Sequence, residues 1–142
     1  MHGQTFSAQL DSLPAATRFV QAFCEQHGVD AHDALRLTLI VEELLTNTIV
    51  HGHRGGQDGQ DAPVHIDLMT GDTHLTLHFE DCAPPFDPLR YLADAAPSLD
   101  APPEQRPVGG LGLPLVARMA EQFDYVHADG CNRLRVVLKR GG

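Results

Sequence analysis

The sequence predicts an α+β fold, a two-layer sandwich in which a mixed, mostly antiparallel sheet carries helices on one face. Two helical segments come early in the chain and are followed by two strands with a tight turn between them. Two further strands close the chain, and the alternation of strand, helix and strand that indicates a parallel sheet is absent. With 142 residues, 42% of them hydrophobic, the chain is expected to form a single domain over residues 1–142.

The first third of the chain is expected to contain one weak strand and two helices. The strand is placed at 4–10, and a helix at about 12–27 follows, with Ser12 as its N-cap and a proline in its first turn. A second helix is expected at about 31–51, where a glycine ends it.

Two strands with alternating apolar residues come next, at 64–69 and 75–80. The dipeptide Gly71-Asp72 between them indicates a hairpin. Asp81 continues the register of the apolar positions in the second of these strands. Its carboxylate is therefore expected to face the core side at the end of that strand.

The last part of the chain is expected to begin with a functional loop. The segment 87–108 contains five prolines and little periodicity, which is typical of a lid or a binding loop. A short helix is expected at about 113–122. Strands at about 123–128 and 133–139 follow, joined by an Asp-Gly turn.

The composition excludes some classes of partner. A formal net charge of -9 argues against nucleic acid or an anionic membrane and favours a protein or a metal-bound nucleotide. No apolar run is long enough for a membrane span, and no signal peptide is recognisable.

The cysteines and histidines carry weaker signals. Cys24, Cys82 and Cys131 lie far apart, outside any Cys-x-x-Cys pattern, which predicts free thiols in a reducing cytoplasm. Cys82 is expected to be a small buried residue, with a redox-sensitive thiol as the alternative. The nine histidines match no zinc spacing, and His65, His74 and His78 are expected on the outward faces of neighbouring strands.

The most informative side chains are Glu43 and Asn47, which lie four residues apart in the second helix and so share one face. His51 follows one turn further on, and no Lys or Arg lies within one turn of Glu43. An amide oxygen is a ligand that Mg²⁺ accepts, and a carboxylate beside it is able to take a proton from an attacking hydroxyl. The alternative is a polar patch where the helix reaches the surface.

Two further motifs are compatible with a nucleotide. Asp81 is able to accept a hydrogen bond from an exocyclic amine such as that of adenine, although an aspartate that opens a proline turn is the simpler alternative. The run Gly-Gly-Leu-Gly-Leu at 109–113 precedes a helix whose free N–H groups would face an anion. It is neither a P-loop nor a dinucleotide fingerprint, and a plain glycine turn is the alternative.

Together and in this order, these three motifs resemble the N, G1 and G2 boxes of the GHKL (Bergerat-fold) ATPases. The match is closest to the stand-alone RsbW-like anti-sigma factor serine/threonine kinases. The N box would be residues 43–52, the G1 box 81–88 and the G2 box 109–113. The resemblance covers essentially the whole chain.

The resemblance implies a role for each site residue. Glu43 would be the general base toward a serine or threonine hydroxyl, Asn47 would coordinate Mg²⁺, and Asp81 would bind the adenine amine. Arg106 would contact the γ-phosphate, and 87–108 would be the ATP lid. The remaining contacts to the nucleotide would come from His51, Ala83, Phe86, Gly109, Gly110, Leu111, Gly112 and Leu113.

The function implied is that of a cytoplasmic bacterial kinase that uses Mg²⁺ and ATP. It would hold a sigma factor in one state and phosphorylate a STAS-type antagonist in another, with no nucleic-acid or membrane partner. A homodimer is expected only from the resemblance.

Two departures from the family pattern keep an alternative open. Ala83 stands where the G1 box usually has glycine, and Pro114 stands where a larger side chain is more usual. An ATP-binding docking module with little or no kinase activity is therefore the alternative. A histidine-kinase catalytic fragment is disfavoured, because no helix pair with a phosphoacceptor histidine is found.

Overall fold

The computed structural model describes residues 2–49, 63–82 and 112–141, which form one sheet of five strands and a layer of helices. The strands are β1 (His2–Ser7), β2 (Pro63–Thr70), β3 (His74–Asp81), β4 (Gln122–Ala128) and β5 (Cys131–Lys139). The helices are α1 (Leu13–Gln26), α2 (Ala31–Asn47) and α3 (Gly112–Met119), and a 3-10 turn at Leu10–Ser12 precedes α1.

The strand order is β1-β2-β3-β5-β4, and every pair of neighbours is antiparallel. The expected α+β class is confirmed, and the described strands contain no parallel pair that would make the sheet mixed. Because β5 lies between β3 and β4, the end of β3 is placed beside the start of β5. This non-consecutive pairing sets Asp81 opposite Asn132.

The core lies between the sheet and the helices. Along β3, Leu75, Leu77 and Phe79 are buried, while the residues between them are at least partly exposed. Leu37 and Ile40 of α2 are buried in the same cluster. Each such side chain contributes about 1.5–3 kcal/mol by leaving water, so this alternation fixes which face of β3 is covered and places Asp81 on that side.

The N-terminal cap of α1 differs from expectation. Ser12 precedes α1 but makes no capping hydrogen bond through its side chain, because the 3-10 turn gives it helical backbone angles. The predicted cap is therefore wrong. Gly28 follows α1 with a φ of 63°, in the left-handed region that favours glycine. The N-cap of α2 is Asp30, whose carboxylate accepts a hydrogen bond from Asp33 N–H at 2.8 Å.

Several boundaries are shifted from the predicted ones. The first strand ends at Ser7 because the chain then enters the 3-10 turn, and α3 ends at Met119 because Gln122 already pairs with Val137 in the sheet. The α-helical part of α2 ends at Asn47, Thr48 and Ile49 continue in π-helical conformation, and the predicted helix end at His51 lies outside the described residues. None of the helices in the described ranges has the length and apolar character needed to cross a membrane.

The carboxylate of Asp33 ties the end of the chain to α2. Asp33 is buried, accepts a hydrogen bond from Arg36 at 2.7 Å and accepts another from Gly141 N–H at 3.0 Å. Arg36 also donates to the carbonyl of Lys139 at 2.7 Å. These contacts hold the last strand of the chain against the helix that carries Glu43.

The expectation of free thiols is wrong for two of the cysteines. Cys82 and Cys131 form a disulfide, and only Cys24 is a free, buried thiol. Cys82 is also exposed rather than buried. The two residues are 49 positions apart in sequence, and the pairing of β3 with β5 brings them opposite each other, just beyond the Asp81–Asn132 pair.

Candidate functional site

Asp81 lies at the end of β3 with only 6% of its surface exposed, so the expected inward orientation is confirmed. Its Oδ1 accepts a hydrogen bond from Asn132 Nδ2 at 2.9 Å, and its Oδ2 accepts one from Thr48 Oγ1 at 3.1 Å. Tyr125 of β4 donates its hydroxyl to Asn132 Oδ1 at 2.6 Å. The carboxylate is therefore held by groups from the end of α2 and from β5, and its orientation is fixed.

This arrangement is suited to binding an amine. A carboxylate has about four acceptor positions, and a buried one is stabilised by hydrogen bonds from neutral donors such as these. Asp81 is able to accept an N–H from an exocyclic amine in addition to the bonds from Asn132 and Thr48. The adenine amine that the resemblance implies is one group of this kind.

Asn47, the last residue of α2, is 6% exposed, and its Oδ1 makes no hydrogen bond to any described group. A buried acceptor without a partner costs about 1–3 kcal/mol, and a bound ligand would remove that cost. An amide oxygen is a hard donor of the kind that Mg²⁺ binds. Asn47 therefore fits the magnesium ligand that the resemblance implies.

Glu43 lies one turn before Asn47 on the same helix and is half-buried. Burial raises the pKa of its carboxyl above the ordinary value, and the negative charge of neighbouring Glu42 raises it further. A carboxylate with a raised pKa holds a proton more readily, which suits a general base.

The start of α3 contributes to the core. Gly112 begins the helix, and Leu113 is 1% exposed and packs in the core cluster with Val116. The helix packs against α2. The side chain of Leu113 therefore anchors α3, so a contact from this residue to a nucleotide would come from its backbone.

The structure brings together part of the predicted site. It places Glu43 and Asn47 on one helix and links the end of that helix to Asp81 through Thr48. The other predicted site residues lie outside the described residues, and their roles stay predictions: His51, Ala83, Phe86, Arg106, Gly109, Gly110 and Leu111. The predicted lid at 87–108 lies outside as well.

Sequence reasoning missed three side chains of the site. Thr48 directly follows Asn47, and its position in a π-helical turn gave no signal in the sequence; such turns are frequent at functional sites. Asn132 and Tyr125 are identified only once β5 is known to pair with both β3 and β4.

His65, His74 and His78 lie on the outward face of the sheet, as predicted. His65 contacts Asp67 at 3.1 Å, and His74 contacts Glu121 at 2.8 Å. Within the described ranges, the one group of three side chains close enough to share a metal ion is Glu80, Cys82 and Cys131. The two sulfurs of that group are joined in the disulfide.

Residues 6–138 match a family model described as the histidine kinase-like ATPase domain. A comparison with curated proteins gives no match. Among solved structures, the crystal structure of the SiaB–SiaC complex from Pseudomonas aeruginosa contains a chain with a TM-score of 0.70 and 13% identity. That match covers 97% of this chain and 89% of the other.

The nucleotide-free catalytic domain of the histidine kinase ThkA is also similar. It has a TM-score of 0.51 and 15% identity, and the match covers 99% of this chain and 98% of that domain. At identities this low, the two likenesses concern the fold.

Proposed function

Because this chain belongs to the histidine kinase-like ATPase domain family, we propose that it is an ATP-dependent serine/threonine protein kinase that acts by partner switching. The observation that carries the proposal is the buried Oδ1 of Asn47, which has no hydrogen-bond partner among the described residues. One turn away lies a carboxylate whose pKa is raised by burial. A metal ligand and a proton acceptor side by side are what phosphoryl transfer to a hydroxyl requires.

In this proposal Asp81, Asn47 and Glu43 each have a task in the reaction. Asp81, held by Thr48 and Asn132, accepts the adenine amine and orients the nucleotide. Asn47 holds Mg²⁺, which neutralises charge on the phosphates when it is bound. Glu43 takes the proton of the serine or threonine hydroxyl while the hydroxyl oxygen forms a bond to the γ-phosphorus and ADP leaves.

The partners we propose are proteins. The kinase holds a sigma factor, and it phosphorylates a STAS-type antagonist of that interaction in the cytoplasm. A phosphate brings the antagonist about two negative charges, and this chain itself carries a formal net charge of -9. Repulsion between the two would favour release of the phosphorylated antagonist. The similar SiaB–SiaC structure is that of a protein complex, which is compatible with a partner-binding role.

The alternative is a docking module in which ATP stabilises a partner-binding state without transfer. Ala83, in place of the usual glycine, is the sequence feature that favours it. The hydrogen bonds to Asp81 from Thr48 and Asn132 would serve either function. Phosphate transfer distinguishes the two.

The experiment is transfer of phosphate from γ-labelled Mg·ATP into a soluble lysate of the source organism. Wild type is compared with Glu43→Gln and with Glu42→Gln, a matched change at the neighbouring half-buried carboxylate. One acid-stable labelled protein that is present with wild type and Glu42→Gln, and missing with Glu43→Gln, supports the kinase and identifies its substrate. Nucleotide binding with no labelled protein supports the docking module.

A further inference from the structure

The disulfide lies next to the proposed adenine site. Asp81 and Asn132 form one pair of the β3–β5 ladder, and the residues one step further, Cys82 and Cys131, are covalently joined. The cross-link thus fixes the two strand ends that carry the carboxylate and its amide donor.

The two cysteines of the disulfide are more exposed to solvent than the remaining cysteine, Cys24. Cys82 is exposed and Cys131 is half-buried, so a thiolate in solution has access to the disulfide. Cys24 is only 3% exposed, and burial, with a further effect from the charge of Asp33, raises the pKa of its thiol. Cys24 is therefore a poor nucleophile and a suitable control.

We propose that Cys82–Cys131 is a reversible redox site that sets the affinity of the protein for ATP. The oxidised form holds Asp81 and Asn132 in the geometry described above, and reduction weakens nucleotide binding. This inference rests on the proposed function, since it assumes that Asp81 binds the adenine base. In the reducing cytoplasm that we propose for this protein, a disulfide is more often regulatory or catalytic than structural.

The effect follows from the position of Asp81 at a strand end. Asp81 is the last residue of β3, and the ends of strands open locally at low cost in free energy. With the cross-link present, Asn132 cannot move away from Asp81. Without it, the hydrogen bond of 2.9 Å between them is lost whenever the strand end opens, and the carboxylate loses a group that orients it.

The reductant is a dithiol, and the exchange is balanced. A thiolate of the dithiol attacks Sγ of Cys82, forms a mixed disulfide and releases the thiolate of Cys131, which takes up a proton. The second thiol of the reductant loses its proton and attacks the reductant's first sulfur, which is bonded to Cys82 in the mixed disulfide. The oxidised dithiol leaves and Cys82 is released as a thiol, so two electrons and two protons have passed to the protein. An oxidised dithiol reverses both steps.

The test measures the Kd for Mg·ATP of the oxidised protein, of the protein reduced with dithiothreitol, of the double variant Cys82→Ser/Cys131→Ser, and of Cys24→Ala in both redox states. Buffers are freed of zinc, because Glu80 lies close to both sulfurs and the reduced thiols could capture a metal ion. Thiol titration confirms each redox state, and circular dichroism confirms that each sample is folded.

We expect reduction to raise the Kd for Mg·ATP by roughly fivefold or more, because the hydrogen bond from Asn132 that orients Asp81 is loosened. The double variant should match the reduced protein and should not respond to dithiothreitol, whereas Cys24→Ala should respond as wild type does. Equal Kd values in the two redox states, or tighter binding after reduction, overturn the inference and leave the proposed function intact. Absence of nucleotide binding in both states overturns the two together.

Discussion

Thr48, just beyond the end of α2, donates its hydroxyl to Oδ2 of Asp81 at 3.1 Å. The two residues are 33 positions apart, and the bond joins the helix of the proposed metal ligand to the strand of the proposed adenine site. Both side chains are buried, at 7% and 6% exposure. Loss of this bond should therefore affect nucleotide affinity more than the catalytic step.

Thr48→Val removes the hydroxyl and keeps the shape of the side chain. We expect the Kd for Mg·ATP to rise by about three- to tenfold, because Asp81 loses one of the groups that orient it. The phosphate-transfer rate at saturating ATP should change little. Titration calorimetry measures the affinity, and Thr46→Val, a half-buried threonine on the same helix, is the matched control. An unchanged affinity for Thr48→Val would show that the bond does not orient Asp81.

Glu43→Gln should separate binding from chemistry. The amide cannot accept the hydroxyl proton, so we expect transfer to fall by roughly 10²-fold or more while the Kd for ATP stays near that of wild type. Glu42→Gln should keep most of the activity. A Glu43→Gln protein that transfers phosphate at the wild-type rate would rule out this residue as the base.

The pH dependence of transfer gives a second test of Glu43. Burial, and then the charge of Glu42, raises the pKa of this carboxyl above its ordinary value of 4.5. The base is active only when it is ionised, so transfer should fall as the pH drops through the raised pKa and level off above it. Glu43→Gln should lack this acidic limb. A rate that falls only below the ordinary pKa of a glutamate would contradict the assignment.

Asn47→Ala tests the proposed metal ligand. The affinity for ATP should fall in the presence of Mg²⁺ and stay nearly constant in EDTA, since only the metal-dependent part of binding is removed. The free energy of unfolding of the nucleotide-free protein should not fall, because Oδ1 makes no bond to a described group that could be lost and its removal relieves the cost of burying it unpaired. Equal losses of affinity with and without Mg²⁺ would indicate a general distortion of α2.

How far the sequence predicts this site depends on which contacts are local. Helical spacing placed Glu43 and Asn47 on one face, and strand alternation placed Asp81 inward, because both patterns repeat over a few residues. Asn132 and the Cys82–Cys131 bond depend on the pairing of β3 with β5, two strands that are far apart in sequence. Local periodicity carries no information on which strands pair, so these features emerged only from the fold.

A similar reason explains the missed cap of α1 and the π-helical turn that the sequence did not predict. Ser12 has the right residue type for an N-cap, but the 3-10 turn before α1 changes its backbone angles and its side chain does not cap. Thr48 lies in a π-helical turn, where its hydroxyl reaches Asp81. In both cases packing of the chain overrides the preference of a single residue type.

Asp33 should determine how the protein responds to acid. Burial alone would raise the pKa of this carboxyl, but hydrogen bonds from Arg36 and from Gly141 N–H outweigh burial and hold the pKa below the ordinary value of 3.8. A carboxyl whose pKa is lowered by folding stabilises the protein above its unfolded pKa, and this contribution is lost as the pH falls through the folded pKa.

We therefore expect Asp33→Asn to lower the free energy of unfolding by about 2 kcal/mol at pH 7, since the charge that Arg36 pairs with is removed. The difference from wild type should shrink as the pH falls below 3.8, because wild-type Asp33 then loses its charge as well. Urea unfolding across this range measures both effects, and the exposed Asp72→Asn is the control. A constant difference at all pH values would mean that Asp33 stabilises the fold through its shape and hydrogen bonds rather than its charge.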